Sequence, residues 1–93
     1  MLNFNEVTTT QLITVTIRHI GQYRLRMGPY IKYVKYNKNQ NGWCLERHYA
    51  ELNALEDCID ICLRELHKRN ATIPQKHMQI YLINQKKRES TLE

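Results

Sequence analysis

Basic and aromatic side chains alternate within one stretch of the sequence. Residues Tyr30–Tyr36 read Tyr-Ile-Lys-Tyr-Val-Lys-Tyr, and Arg24 and Arg26 come shortly before them. Lysine and arginine neutralise phosphates, and aromatic faces stack on unpaired bases. This combination indicates contacts to the phosphates and base faces of a single-stranded nucleic acid. The alternative is that these are solvated strand faces on which tyrosines cover the rim of the core.

Two thiols stand at helical spacing, which raises the question of a metal site. Cys58 and Cys62 are four residues apart, and Cys44, His48 and His67 are not far away in sequence. Zinc needs three or four converging ligands, usually supplied from turns. Cysteines that lie in or beside an apolar stripe are more often ordinary core residues. We therefore predict no metal and no cofactor.

Motifs of known catalytic chemistry are missing from the sequence. It contains no glycine-rich phosphate loop, nucleophile elbow or His-Glu-x-x-His motif. Cys44 and His48 could form a thiol–imidazole pair, and Trp43 could stack on a base, although a lone tryptophan beside a strand is more often core. The sequence predicts a protein that is not an enzyme, with no catalytic residues and no small-molecule substrate.

Period-two patterns in the first half of the chain predict strands. Ile13, Val15 and Ile17 alternate with polar residues, which is typical of a half-buried strand. Gly28-Pro29 predicts a turn, and so does the Asn/Gly-rich stretch 37–42. The four predicted strands lie in Gln11–Ile20, Gln22–Met27, Tyr30–Asn37 and Gly42–Leu45.

A helix is predicted from Arg47 to about Arg69. Its apolar stripe consists of Leu52, Leu55, Ile59, Cys62, Leu63 and Leu66. That stripe, widened by Ala54, Cys58 and Ile61, needs two surfaces to cover it, one of which could be the helix of a second copy. The predicted dimerisation residues are Leu55, Cys58, Ile59, Cys62, Leu63 and Leu66.

The remainder of the chain is predicted to be a linker and a tail. Asn70–Gln75 contains Pro74 and is expected to be a linker, whereas His77–Asn84 could form an extra strand. We therefore divide the chain into an N-terminal arm at 1–10, a ββββα domain at 11–69 and a C-terminal extension at 70–93.

Charge is unevenly distributed along the 93 residues, which carry a formal net charge of +5. Residues 1–49 carry seven basic and two acidic side chains, whereas 50–69 carry three and five. The predicted sheet is thus basic and the helix acidic, which favours a polyanionic partner. No segment is long enough to span a bilayer, the start lacks the features of a secretion signal, and the cysteines form no regular framework. We expect an intracellular protein without a membrane partner; the sequence does not decide between nucleus and cytoplasm, and it slightly favours the nucleus.

The segment from Gly42 to Leu66 resembles the signature of a known protein family. Gly42-Trp43-Cys44-Leu45, then Tyr49, Leu52, Ile59-Asp60 and Leu63-Arg64-Glu65-Leu66, resemble the helix signature of the transcriptional positive cofactor four family of single-stranded-DNA-binding coactivators. The resemblance covers about residues 17–67. It implies a curved four-stranded antiparallel sheet followed by one helix, with two copies paired through their helices. The two sheets would present basic channels to two antiparallel single strands.

The sequence departs from the family pattern at the expected stacking residue. Pro29 stands where the family has the lysine of its turn, and Asn37 and Lys38 stand where an aromatic is expected. Tyr33 or Tyr36 would then be the stacking residue. The candidate nucleic-acid-binding residues are Arg18, Arg24, Arg26, Lys32, Tyr33, Lys35, Tyr36, Lys38 and Arg47.

The residues and the resemblance together predict an α+β fold and a homodimeric protein that binds single-stranded nucleic acid, DNA rather than RNA, in transcription or replication. The alternatives are an RNA-binding variant, or a protein-interaction or structural dimer without specific nucleic-acid binding.

Overall fold

The computed structural model describes residues 4–36 and 42–92, with side chains for all of these except 36, 42–45, 91 and 92. A short 3-10 turn at Phe4–Glu6 precedes three α-helices: α1 (Thr9–Tyr36), α2 (Gly42–Lys68) and α3 (Gln75–Leu92). The described residues contain no strand. The predicted α+β fold, with its four-stranded sheet, is therefore wrong, and so is the extra strand at 77–84.

The first helix forms because its buried residues recur at helical spacing. Leu12, Thr16, Ile20, Tyr23, Met27 and Tyr30 are each at most 2% exposed. Their separations of three or four residues place them on one helix face. The Thr16 hydroxyl donates to the Leu12 carbonyl at 2.7 Å, so this polar residue is satisfied inside the core.

A capping box begins α1. The Thr8 Oγ1 accepts from the Gln11 backbone N–H at 3.1 Å, and the Gln11 Oε1 accepts from the Thr8 N–H at 2.9 Å. These reciprocal bonds satisfy two N–H groups at the helix start.

Gly28-Pro29, predicted to be a turn, lies inside α1. Proline lacks the N–H that would bond the carbonyl four residues earlier, here that of Leu25. Both Pro29 and Leu25 lie on the exposed side of the helix, where water can take the place of the missing donor. The interruption is therefore tolerated.

The predicted helix beginning at Arg47 is present as α2, which starts five residues earlier. Its C-terminus closes with Asn70 in the left-handed region at φ 56°. The Ala71 N–H bonds the Leu66 carbonyl at 2.9 Å, and the Asn70 N–H bonds the His67 carbonyl at 3.0 Å. This is the Schellman arrangement, and asparagine is among the residues that tolerate its conformation.

The helices run up, down and up. Arg26 of α1 pairs with Glu51 of α2, while Arg69, just after α2, bonds the Val7 carbonyl before α1, so α1 and α2 are antiparallel. Tyr81 of α3 stacks on Tyr23, so α3 lies beside α1 as well. Residues 75–92 therefore complete the same core as the other two helices.

The predicted dimerisation stripe is covered within the single chain. Leu55, Ile59, Cys62 and Leu66 are buried in the core, Leu63 packs partly buried against it, and Cys58 is half-buried. Helix α1 packs against this stripe, so in this fold the stripe does not need a second copy to cover it. The predicted homodimer stays a prediction.

Candidate functional site

Tyrosines fill the centre of the bundle. Tyr23, Tyr30 and Tyr81 are at most 2% exposed. The rings of Tyr23 and Tyr81 meet edge to face, with centroids 5.5 Å apart. Such pairs contribute about 0.5–1.5 kcal/mol beyond the area they bury. These aromatic faces are not available to stack on bases.

A buried polar network joins α3 to the other two helices. The Arg88 guanidinium donates to the Glu56 carboxylate at 3.0 Å and to the Asn53 side-chain oxygen at 2.6 Å. The Tyr23 hydroxyl donates to the same Glu56 carboxylate, and the Arg88 guanidinium lies 5.6 Å from the centroid of the Tyr49 ring. Arg88 as a whole is only 9% exposed. This charge is therefore held by a carboxylate, an amide and an aromatic face.

The pKa values of the network follow from burial and charge. Burial raises the pKa of Tyr23, and the Glu56 carboxylate adds to the shift. Burial alone would lower the pKa of Arg88, but Glu56 beside it gives a net rise. The phenol of Tyr23 and the cation of Arg88 are thus the protonated forms that the fold selects.

The hydroxyl of Tyr30 is an unsatisfied polar group in the core. Among the described residues its hydroxyl is buried without a hydrogen-bond partner. Its ring contacts Tyr49 and His48, with centroids 5.7 and 6.3 Å away. Burial, followed by the neighbouring Tyr49, raises the pKa of Tyr30 to about 12.

We expect alkaline unfolding that is set by these tyrosines. The folded state favours their neutral form, so this stability is fully present below the ordinary pKa of 10.0 and is lost as the pH rises towards about 12. Helical circular dichroism and tyrosinate absorbance should change together in that window. The Tyr30→Phe variant should unfold at higher pH, because it removes a hydroxyl that has no partner. Smooth ionisation of all tyrosines with the helices intact would contradict the expectation.

The structure places the predicted nucleic-acid-binding residues that it describes on helices and not on a sheet. Tyr33 is half-buried, with its ring 5.6 Å from that of His48. Lys35 is exposed, and two residues along a helix it lies nearly opposite Tyr33. Arg18, Arg24 and Lys32 are exposed, and at 3.6 residues per turn they lie with Lys35 on the outward side of α1, away from Tyr33. The predicted sheet surface of cations and tyrosines is therefore wrong.

Two more of the predicted cations are engaged by one carboxylate. Arg26 and Arg47 contact the two oxygens of Glu51, at 2.6 and 3.5 Å. Lys38 lies outside the described residues, as does the side chain of Tyr36. The side chains of Trp43 and Cys44 lie outside them too.

The described cysteines are free thiols. Cys62 is buried and Cys58 is half-buried. Burial raises the pKa of Cys62, the neighbouring Thr16 opposes this rise, and Cys58 adds to it. In the part of the chain that the structure describes, no group of three or more His, Cys, Asp or Glu side chains is placed to hold a metal ion.

An open groove between α1 and α3 joins apolar and basic side chains. Ile31 of α1 lines it with Ile83, Lys86, Lys87 and Ser90 of α3. Leu82 extends it over the outer surface of α3, where an adjoining hollow is lined by Leu82, Ile83, Gln85, Lys86 and Glu89. Ile83 is 53% exposed and Leu82 is 50% exposed. We call this surface, formed by Ile31, Leu82, Ile83, Lys86, Lys87 and Ser90, the α1/α3 groove.

The helices differ in net charge: α1 and α3, which form the groove, are basic, whereas α2 is acidic. Helix α1 contains five basic residues and no acidic one, and α3 contains four basic residues and one acidic one. Helix α2 contains three basic and six acidic residues, a net of −3. Glu51, Glu56 and Glu65 of α2 each form an ion pair with an arginine of this chain. Half of the acidic residues of α2 are therefore paired within the molecule, and Lys86 and Lys87 place positive charge in the α1/α3 groove.

Fold and site define the described residues as an up-down-up bundle of three helices with a tyrosine-rich apolar core, a buried ion-pair network and a groove of apolar and basic side chains. No protein-family model, curated protein or solved structure matches it. Within residues 4–36 and 42–92, no helix combines the length and hydropathy needed to cross a membrane.

The α1/α3 groove was not predicted because α3 was not. Its outward residues Leu82 and Ile83 stand beside the inward Tyr81, so three apolar residues in a row gave no clear period. The inward positions Tyr81, Asn84 and Arg88 do recur at helical spacing, but two of them are polar. Hydropathy therefore gives no signal that would place Asn84 and Arg88 in the core.

Proposed function

We propose that this chain is a non-catalytic interaction module whose α1/α3 groove binds an acidic amphipathic helix of another protein. The observation that carries the proposal is the exposure of Ile83 and Leu82 beside Lys86 and Lys87, on the side of the bundle where the two basic helices meet. Helices commonly bind in apolar grooves through residues repeated every three or four positions. A rim of cations selects acidic partners and speeds their encounter.

The chemistry of the groove favours a peptide over a nucleic acid. Stacking on bases needs exposed aromatic faces, whereas the apolar groups here are the aliphatic side chains of Ile31, Leu82 and Ile83. Aliphatic side chains suit the leucines and isoleucines of an amphipathic helix. Lysines beside them suit its acidic flanks.

The proposal can be tested with a labelled synthetic peptide of about five helical turns. Its leucines recur at spacings of three and four, and its other residues are mostly glutamate. A second peptide has the same composition in scrambled order, so that its leucines share no face. Fluorescence anisotropy should show the amphipathic peptide binding at least about tenfold more tightly than the scrambled one, because only it can present both leucines and carboxylates.

Two matched variants locate the binding surface. Ile83→Glu should weaken binding by more than about tenfold, since it puts a carboxylate at the centre of the groove. Leu25→Glu makes the same change of charge at a side chain that is 76% exposed on α1 and does not line the groove. It should leave the affinity nearly unchanged. Circular dichroism checks that both variants keep their helices.

Three outcomes would overturn the proposal. Equal binding of both peptides would show that charge alone acts. Equal loss in the two variants would show that the groove is not the surface involved. Tighter binding of a single-stranded oligonucleotide than of the amphipathic peptide would favour a nucleic-acid partner.

A further inference from the structure

Ser90 stands at the end of a run of cations and in the α1/α3 groove. It is the single serine of the chain and follows Lys86-Lys87-Arg88-Glu89. Its side chain is exposed and lines the groove with Lys86 and Lys87. Ser90 also lies in the last turn of α3, which ends at Leu92. Terminal helical turns open at low free-energy cost, which gives an enzyme access to such a residue.

We propose that Ser90 is a phosphorylation site for a protein kinase that selects basic residues upstream of its acceptor, and that its phosphorylation closes the groove to acidic partners. The Ser90 Oγ–H bond breaks and an Oγ–P bond forms. The γ-phosphoryl group comes from a nucleoside triphosphate, which leaves as the diphosphate, and the proton passes to the kinase or to water. The effect on binding rests on the proposed function, whereas the modification site does not.

The cations that precede Ser90 differ in their exposure. Lys86 and Lys87 are exposed, four and three residues before the acceptor. Arg88 is bound to Glu56 and Asn53 inside the bundle. We therefore expect the two lysines to carry recognition while α3 stays docked, with the final turn opening around Ser90.

A phosphate on Ser90 would act on the groove in two ways. It adds a charge of about −1.5 to −2 and three acceptor oxygens beside Lys86 and Lys87, which are one helical turn away. The lysines would then pair with the phosphate rather than with carboxylates of a partner. Negative charge at a helix C-terminus also opposes the macrodipole, so the final turn of α3 should fray. Both effects weaken the binding of an acidic helix.

The test begins with phosphorylation of the full chain by a serine kinase that selects upstream basic residues, with ATP. Mass spectrometry should place one phosphate on Ser90. The Ser90→Ala variant should accept none, and Lys86→Gln/Lys87→Gln should react several-fold more slowly. No incorporation into the folded chain, or phosphate on Thr91 in place of Ser90, would overturn the site.

The second readout is the affinity for the acidic amphipathic peptide described above. The phosphorylated chain should bind it about tenfold or more weakly than the unmodified chain. Phosphate on Ser90 with unchanged affinity would overturn the switch. If the unmodified chain does not bind the peptide, the proposed function fails, while the mapping of the phosphate still decides the modification site.

Discussion

The Glu56→Gln substitution is expected to lower the free energy of unfolding by about 3 kcal/mol. It removes the carboxylate that faces the Arg88 guanidinium at 3.0 Å and accepts from the Tyr23 hydroxyl. Loss of one partner from a buried ion pair commonly costs about 3–5 kcal/mol, because the remaining charge is left in the interior. We expect the lower end of this range, since the Glu56 side chain is 24% exposed. A chain of this size has a total stability of about 5–15 kcal/mol, so the effect is large.

Glu51→Gln is the matched control for this prediction. Glu51 is also a glutamate of α2 paired with an arginine of α1, but the Arg26 side chain is 49% exposed. Exposed pairs contribute at most about 1 kcal/mol. Urea unfolding followed by circular dichroism measures both variants. Equal, small effects would show that Arg88 finds water when Glu56 is neutral.

A double variant separates the charge from the packing. Glu56→Leu/Arg88→Met removes both charges and keeps similar volumes, and such replacements are often neutral or stabilising. We expect it to be clearly more stable than Glu56→Gln. A double variant as unstable as the single one would mean that the remaining partners, Tyr23 and Asn53, need the charges to be satisfied.

The Tyr81→Ala substitution is expected to cost about 3–5 kcal/mol, the usual effect of removing a buried aromatic ring. Tyr81 is 2% exposed, packs on Tyr23 and bonds the Asp60 carboxylate at 3.3 Å. Because Tyr81 belongs to α3, this variant tests whether residues 75–92 are part of the cooperative core. Urea unfolding should give the lower midpoint expected for a weakened bundle.

Two neighbouring changes control for this effect. Tyr81→Phe removes only the hydroxyl and should cost about 1 kcal/mol or less, since the hydrogen bond is long. Leu82→Ala changes the next residue, which is 50% exposed, and should stay within about 0.5 kcal/mol. If Tyr81→Ala were as mild as Leu82→Ala, α3 would not be docked as described.

The sequence predicted α2 because its buried positions are almost all aliphatic. Leu52, Leu55, Ile59 and Leu66 recur at helical spacing, and no alternation competes with them. The same stripe carried the family resemblance. Spacings of three and four are shared by every amphipathic helix, so they could not distinguish a helix that covers a sheet from one in a bundle.

Helix α1 was predicted as strands because its local preferences oppose its tertiary environment. Thr14, Val15, Thr16 and Ile17 are β-branched, and they alternate in hydropathy for a few residues. The residues that face the core include Thr16, Tyr23 and Tyr30, which hydropathy alone does not place inside. Packing against the apolar stripe of α2 favours the helical conformation of α1 over the strands that its local sequence predicts.

The α1/α3 groove could not be predicted from the sequence, because it depends on the tertiary packing of two helices. In a strand Tyr33 and Lys35 would share one face, whereas in helix α1 they lie on nearly opposite sides. The α1/α3 groove depends on Ile31 meeting Ile83, more than fifty residues later in the chain, which no local pattern indicates. The sequence shows the uneven distribution of charge along the chain. It does not show on which surface of the folded protein that charge lies.

The most direct test of the groove as a binding surface is a methyl NMR titration with isoleucine δ1 labels. Ile31 and Ile83 line the α1/α3 groove, whereas Ile61 is 42% exposed on α2 and serves as an internal control. On addition of the acidic amphipathic peptide, we predict that the signals of Ile31 and Ile83 shift or broaden while that of Ile61 stays in place. Shifts at Ile61 alone, or no shifts at saturating peptide, would contradict the account.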